Sequence, residues 1–180
     1  AYTIDLKGHS TIKGWTVRAG APKIVDSKGG GKIGQLSIDS SLDLTLADLL
    51  PKGWDFQKSD GSWLSTTELK GKTASNVTVA QLPIKSMNYP TEMSMTYGGA
   101  GTLSVTVAKE TDTGAVSFQW YKVEDGKEKA VGSETTKNQF NLAELKLPAG
   151  KHTFRFSATC NGYKKMSQDI VVTVQKANIR

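Results

Sequence analysis

The sequence has very few of the residues that cross-link a fold or bind metals: one cysteine and two histidines in 180 residues. A single cysteine, Cys160, excludes an internal disulfide, so packing and hydrogen bonds must hold the fold together. Together with Cys160, the histidines His9 and His152 cannot complete a tetrahedral zinc site without carboxylate ligands. We therefore predict no metal site and no cofactor.

Long apolar segments are also lacking. No run of about 18 apolar residues occurs, which excludes a transmembrane helix and predicts no membrane insertion. The first ten residues do not have the basic and apolar regions of a signal peptide, and they begin in strand-like sequence. Such a beginning is typical of a piece cut from a longer protein.

Common catalytic and nucleotide-binding motifs are missing: there is no Gly-x-Ser-x-Gly elbow, P-loop, dinucleotide fingerprint or His-Glu-x-x-His. Acidic residues such as Asp39, Asp43 and Asp55 are numerous, but the sequence cannot pair two carboxylates across a cleft. Cys160 alternates with Phe154, which predicts a thiol that faces the core and is unreactive. We predict no catalytic residues and a protein that is not an enzyme.

The net charge of +6 and the pI near 9.3 raise the question of nucleic-acid binding. The lysines are scattered, however, and both halves of the chain share the excess charge. Where they are densest, at Lys127 and Lys129, the acidic residues Asp125 and Glu128 are interspersed. Such mixing is typical of a solvated face, so we expect no nucleic-acid partner.

The second half of the chain, from about Tyr89, shows the alternation of half-buried strands. Apolar and polar residues alternate over residues 116–122 and again over residues 153–160. Two strong hairpin signals, Asp125-Gly126 and Asn161-Gly162, separate segments of this kind. Short alternating strands with frequent turn signals predict a β-sandwich.

Two segments carry a resemblance to immunoglobulin-like domains. Residues 118–121, Phe-Gln-Trp-Tyr, resemble the third strand of that family, with Trp120 as the core tryptophan. Residues 149–154 resemble the Ala-Gly-x-Tyr entry to the sixth strand. The resemblance places His152 and Phe154 where antibody domains have a tyrosine and a cysteine, which implies apolar packing instead of the family's disulfide and a partial corner role for His152.

The first half of the chain reads as several short strands around the glycine run Gly29–Gly31. This spacing favours stacked turns of a β-solenoid. Thr45 and Asp48 form a capping-box pattern that predicts one short helix. We therefore expect an all-β chain with two domains: residues 1–86, a small β-rich domain (a solenoid end or sandwich-like), and residues 87–180, an immunoglobulin-like β-sandwich.

A second resemblance concerns the order of these parts. Residues 46–61, followed by 76–79, resemble the end of glycine-rich solenoid regions that precede immunoglobulin-like modules in large surface proteins of Gram-positive bacteria. Residues 95–99 and 172–177 resemble the boundaries of such repeat modules. The resemblance implies a secreted, non-enzymatic spacer, adhesin or binding module at the bacterial cell surface. Its partners would be neighbouring modules of the same polypeptide and, where it binds, a host glycan or protein.

Trp54 and Trp63 are the candidate ligand-binding residues, since they flank a predicted hairpin turn at Ser59–Gly61. Exposed tryptophans at this place could stack on sugar rings, but we favour a role as a cap over the last solenoid turn. Two alternatives remain open. A phage decoration or tail protein also fits the features, and a carbohydrate-binding module of a secreted enzyme would require both tryptophans to be exposed on one face.

Overall fold

The computed structural model describes residues 3–8, 11–19, 23–110 and 114–178, so His9 lies outside the described part of the chain. The chain divides into two compact units, Ala1–Leu82 (unit 1) and Pro83–Arg180 (unit 2). Both are built mainly from strands, and each has its own cluster of buried apolar residues. The prediction of an all-β fold is confirmed.

Unit 1 contains seven strands and two four-residue helices within its described residues. The predicted helix α1 follows Thr45, whose backbone N–H and hydroxyl donate to the Asp48 carboxylate at 2.7 and 3.0 Å. These hydrogen bonds lower the pKa of Asp48. A second helix, α2, was not predicted. The elements are β1 (Thr3–Asp5), β2 (Thr11–Ile12), β3 (Trp15–Val17), β4 (Lys23–Val25), β5 (Lys32–Ile38), α1 (Leu46–Leu49), β6 (Trp54–Gln57), α2 (Thr66–Leu69) and β7 (Thr73–Gln81).

The first five strands form two stacked turns that pair in parallel. We call β1–β3 the first turn and β4–β5 the second turn. Thr3 pairs with Lys23 at the start of the stack, and Thr11 pairs with Lys32 further along it. The separation of the paired residues along the sequence is nearly the same in both pairs, and it is maintained where β3 continues along β5. A nearly constant separation between parallel strands means that the chain coils back over itself once.

The parallel pairing ends at β7, which runs antiparallel to β5, and β6 then pairs antiparallel with β7. Two turns do not establish a solenoid, so that part of the expectation stays a prediction. The core of unit 1 lies under these strands. Its buried members are Leu6, Val17, Ile24, Ile33, Leu36, Ile38, Leu49, Leu50, Phe56, Leu64, Leu69, Val77 and Val79.

Unit 2 is an immunoglobulin-like β-sandwich. One sheet has the strand order β13-β12-β15-β17-β9, with β16 also paired to β15, and the pairs β8–β11 and β10–β14 provide the other side. The strands are β8 (Ile84–Asn88), β9 (Glu92–Thr96), β10 (Thr102–Ser104), β11 (Thr106–Lys109), β12 (Ser117–Glu124), β13 (Lys127–Thr135), β14 (Gln139–Asn141), β15 (Gly150–Cys160), β16 (Tyr163–Met166) and β17 (Ile170–Gln175).

The core of unit 2 follows the predicted alternation. Phe154, Phe156 and Cys160 all face inward from β15 and are buried, as expected of every second residue in a strand. Trp120 is buried as well, with its ring stacked on Phe140 at a centroid distance of 4.8 Å. The buried residues of β10 and β15 belong to one apolar cluster, so apolar packing joins these two strands.

The turns of unit 2 also match their sequence signals. Asp125 and Gly126 both have positive φ, at 50° and 71°, as the predicted two-residue hairpin requires. His152 occupies the corner position at the start of β15. One of its ring nitrogens, Nε2, lies 2.7 Å from the carbonyl oxygen of Pro148, so the histidine makes the backward hydrogen bond that a tyrosine makes in antibody domains.

The boundary between the units differs from the expected one. The expectation placed it at residues 86–87, but β8 spans this point and pairs antiparallel with β11. Ile84 is buried in the core of unit 2. The division therefore falls at Leu82 and Pro83, and these two residues alone separate β7 from β8.

Candidate functional site

The predicted hairpin around Trp54 and Trp63 forms, and it is the starting point for a candidate site. After β6 the chain reverses through residues 58–62, where the N–H of Lys58 donates to the carbonyl oxygen of Ser62 at 2.8 Å. Asp60 supports the turn because its carboxylate accepts the N–H of Ser62 at 2.9 Å. The Ser62 hydroxyl also donates to this carboxylate, and the hydrogen bonds from the hydroxyl and the N–H of Ser62 lower the pKa of Asp60.

The pairing across the hairpin places the two tryptophans on opposite faces. Trp54 shares a face with the buried Phe56 and packs against the core of unit 1. Trp63 is the antiparallel partner of Gln57, so its side chain shares the face of Gln57, which is the opposite face of β6. Both tryptophans are half-buried. Side chains on opposite faces do not form a single stacking platform, and the role of the two tryptophans as a cap or as ligand-binding residues stays a prediction.

A cleft lies between the hairpin turn, α2 and the start of β7. Its volume is about 340 Å³, and its mouth carries an ion pair between Lys58 Nζ and Glu68 Oε2 at 3.6 Å. Both partners are substantially exposed, so the pair contributes little to stability. The lining residues are Lys58, Ser59, Asp60, Leu64, Glu68, Leu69, Lys72, Thr73, Ala74 and Ser75.

Asp55, on β6, is the unusual titratable group of this region. The residue is only 5% exposed, and its carboxylate accepts the N–H of Phe56 at 2.6 Å. Burial raises the pKa of Asp55 to about 7, and the nearby negative charge of Glu68 adds to this effect, whereas the bond from Phe56 opposes it. A buried carboxyl of this kind holds a proton near neutral pH.

We expect the substitution Asp55→Asn to stabilise unit 1 at pH 8. Because the folded pKa lies near 7, above the unfolded value of 3.8, folding favours the protonated carboxyl. The contribution of Asp55 to stability is therefore most favourable at low pH, and it falls as the pH rises from about 4 through about 7, by up to about 4 kcal/mol. Asparagine stays neutral and retains an acceptor for the N–H of Phe56.

Urea unfolding at pH 5 and pH 8 measures this effect. The Asp55→Asn chain is expected to be about 2 kcal/mol more stable than the unsubstituted chain at pH 8, and its stability is expected to depend less on pH. Asp60→Asn is the matched control, since the pKa of Asp60 is lowered and its carboxylate is exposed. Equal behaviour of the two variants would contradict the assignment of a protonated Asp55.

The acidic residue whose charge acts on Asp55 is Glu68. Among the described residues, no group of three or more histidine, cysteine or acidic side chains is arranged to hold a metal ion. Cys160 and His152 both lie in unit 2 as parts of its fold. The sequence did not predict the burial of Asp55. The strand pattern places Asp55 on the face of β6 opposite Phe56, and in the folded unit that face is covered as well.

Similarity to known proteins adds little information about this site. No protein-family model matches the sequence, and neither does any curated protein. One solved structure that is similar to the chain is the endo-beta-1,4-mannanase from Thermotoga petrophila, at 15% identity and a TM-score of 0.35, covering 51% of this chain and 20% of the mannanase. The chain thus spans about a fifth of that protein's length. No helix in the described part of the chain is long and apolar enough to cross a membrane.

Proposed function

We propose that the chain is a non-enzymatic structural module of a bacterial cell-surface protein, and that unit 2 is a spacer that resists tension. The observation that carries the proposal is the pairing of β9, the second strand of unit 2, with β17, its last strand. The two strands run parallel, and their paired residues extend from Glu92 opposite Val171 to Thr96 opposite Gln175. Neighbouring modules of the same polypeptide would be its partners.

Parallel terminal strands resist tension for a geometric reason. From the N-terminal side, force first loads β8, which is paired with β11. Once β8 has detached, the force pulls β9 by its first residue and β17 by its last, and in a parallel pair these lie at opposite ends of the ladder. The hydrogen bonds therefore lie across the direction of pulling and are loaded together. At one end Val171 donates its N–H to Thr91 at 2.9 Å, and at the other Tyr97 donates to Gln175 at 2.8 Å.

The side chains of the ladder strengthen this arrangement. Met95 on β9 and Val172 and Val174 on β17 are buried in the core of unit 2. Sliding the two strands past each other by one residue would reverse the faces of these side chains. Tension must therefore break the hydrogen bonds and the core packing in the same step.

Tyr97 offers a test because its backbone and its side chain have separate roles. Its side chain is 55% exposed, but its N–H makes the last bond of the ladder. We expect Tyr97→Pro, which removes that N–H, to lower the unfolding force of unit 2 in single-molecule pulling from the chain ends. The loss of the bond is expected to cost about 1–2 kcal/mol.

Tyr97→Ala is the matched control, since it removes the exposed ring and keeps the N–H. We expect its unfolding force to equal that of the unsubstituted chain. If Tyr97→Ala weakens unit 2 as much as Tyr97→Pro, the ladder end does not bear the load, and the proposal of a tension-resisting spacer fails.

A further inference from the structure

The outer edge of the first turn is not paired. Within the described residues, β1 pairs only with β4, and β2 and β3 pair only with β5. Each of these strands therefore has one backbone edge without a strand partner. Such an edge presents N–H and C=O groups that can form a further ladder.

Apolar side chains are also left partly uncovered at this edge. The register stacks Ile4 on Ile24, and Ile12 on Ile33. Ile24 is 1% exposed, whereas Ile4 above it is 40% exposed. Ile12 is likewise half-buried, whereas Ile33 is fully buried. Ile4 and Ile12 are thus less buried than the residues on which they stack, whereas Leu6 and Val17 of the first turn are buried. A further layer over Ile4 and Ile12 would cover this remaining apolar surface.

A second edge of the molecule shows how a free edge is normally protected. The edge strand β13 of unit 2 carries charged residues along its exposed length, among them Lys127, Glu128 and Lys129, and its register with β12 shifts between Phe118 and Trp120. Charges and irregular pairing of this kind discourage further strand addition. The strands of the first turn read Thr-Ile-Asp, Thr-Ile and Trp-Thr-Val, and Asp5 is the one charged residue among them.

We infer that the first turn accepts a further turn of parallel strands, equal to it in length and supplied by polypeptide on the N-terminal side of Thr3. The inference rests on the proposed structural role, because it names the neighbour that unit 1 joins. The separation of Thr3 from its partner Lys23 sets the length of the added turn. An apolar residue of that turn would stack on Ile4 as Ile4 stacks on Ile24.

A second copy of the chain fits this edge less well. Two copies related by a two-fold axis would bring identical edges together with their strands antiparallel. The existing turns pair in parallel, and a chain that continues to coil in the same direction preserves both that orientation and the spacing.

The test variant carries an additional copy of residues 3–22 directly before Thr3. Each copied strand then lies as far before the original strand, along the sequence, as Thr3 lies before Lys23. Amide hydrogen exchange is measured for β1–β3. If the copy forms the added turn, exchange at amides on the outer edge slows by ~10-fold or more. A control copy of the same length, with serine in place of the residues copied from Ile4 and Ile12, leaves exchange unchanged.

The substitution Ile4→Lys in the original turn provides a second arm. Because Ile4 is partly exposed, we expect the unextended chain to tolerate lysine there, whereas lysine would abolish the protection given by the added turn. Equal protection by the two copies, protection that survives Ile4→Lys, or loss of folded unit 1 with the apolar copy alone would each overturn the inference. None of these outcomes alters the pulling result at Tyr97, so the two proposals fail separately.

Discussion

Replacing Asp26 with alanine is expected to cost unit 1 about 3–5 kcal/mol of stability. Asp26 is a charged residue only 1% exposed, and backbone N–H groups surround its carboxylate. Oδ1 accepts from Lys28 at 3.3 Å and from Gly29 at 3.0 Å, and Oδ2 accepts from Gly31 at 2.6 Å. Alanine removes all three acceptor contacts and leaves the buried N–H of Gly31 without this partner.

This effect matters for the parallel stack because the loop held by Asp26 joins the two strands of the second turn. Urea unfolding followed by tryptophan fluorescence suits the measurement, since three of the four tryptophans lie in unit 1. Asp5→Ala is the matched control: Asp5 also accepts two backbone N–H groups, from Lys7 and Ser27, but it is exposed. Equal losses in the two variants would show that the burial of Asp26 is unimportant.

The substitution Phe156→Ala is expected to destabilise unit 2 by about 3–5 kcal/mol. Phe156 is fully buried at the centre of an aromatic cluster. Its ring centroid lies 5.0 Å from that of Tyr89 in an edge-to-face arrangement and 5.1 Å from that of Trp120. Alanine removes both ring contacts and leaves a cavity between the sheets.

Hydrogen exchange at the amides of β12, β15 and β17 measures this loss within unit 2 itself. Phe156→Leu is the control, since leucine fills much of the same volume, and we expect it to lose less than half as much stability. A small loss in Phe156→Ala, similar to that of the leucine variant, would mean that the sheets close over the cavity and that the ring contacts contribute little.

The fold of unit 2 could be predicted from sequence because its signals are local. The alternation of Phe154, Phe156 and Cys160 needs only the two-residue period of a strand. Asp125-Gly126 needs only the backbone preferences of two residues. The partial corner role of His152 was implied by the resemblance of residues 149–154 to the sixth strand of immunoglobulin-like domains, and the ring reaches back to Pro148.

Two segments of the chain were predicted incorrectly. In one the structure depends on a distant strand, and in the other a local pattern was overlooked. The expected boundary at residues 86–87 falls inside β8, and only the pairing with β11 shows that β8 belongs to unit 2. Helix α2 had a readable signal: Ser65 and Glu68 have the spacing of a capping box, and the N–H of Glu68 donates to the carbonyl oxygen of Ser65 at 3.1 Å.

The candidate site could be predicted only in part. The sequence identified the hairpin, but the face of Trp63 depends on its pairing with Gln57, which the spacing of residues did not determine. The burial of Asp55 depends on segments distant in the sequence, so its raised pKa had no local signal. Tertiary packing thus determines the chemistry of this region more than residue type does.

Pulling unit 2 in two directions tests the central claim most directly. In one experiment the force acts through the ends of the chain, first on β8 and then in shear on β9 against β17. In the other it acts between Ser117 and Thr135, at the open end of the β12–β13 hairpin, where bonds are loaded one after another. We predict a clearly higher unfolding force through the chain ends. An equal or lower force through the ends would contradict the account of unit 2 as a tension-resisting spacer.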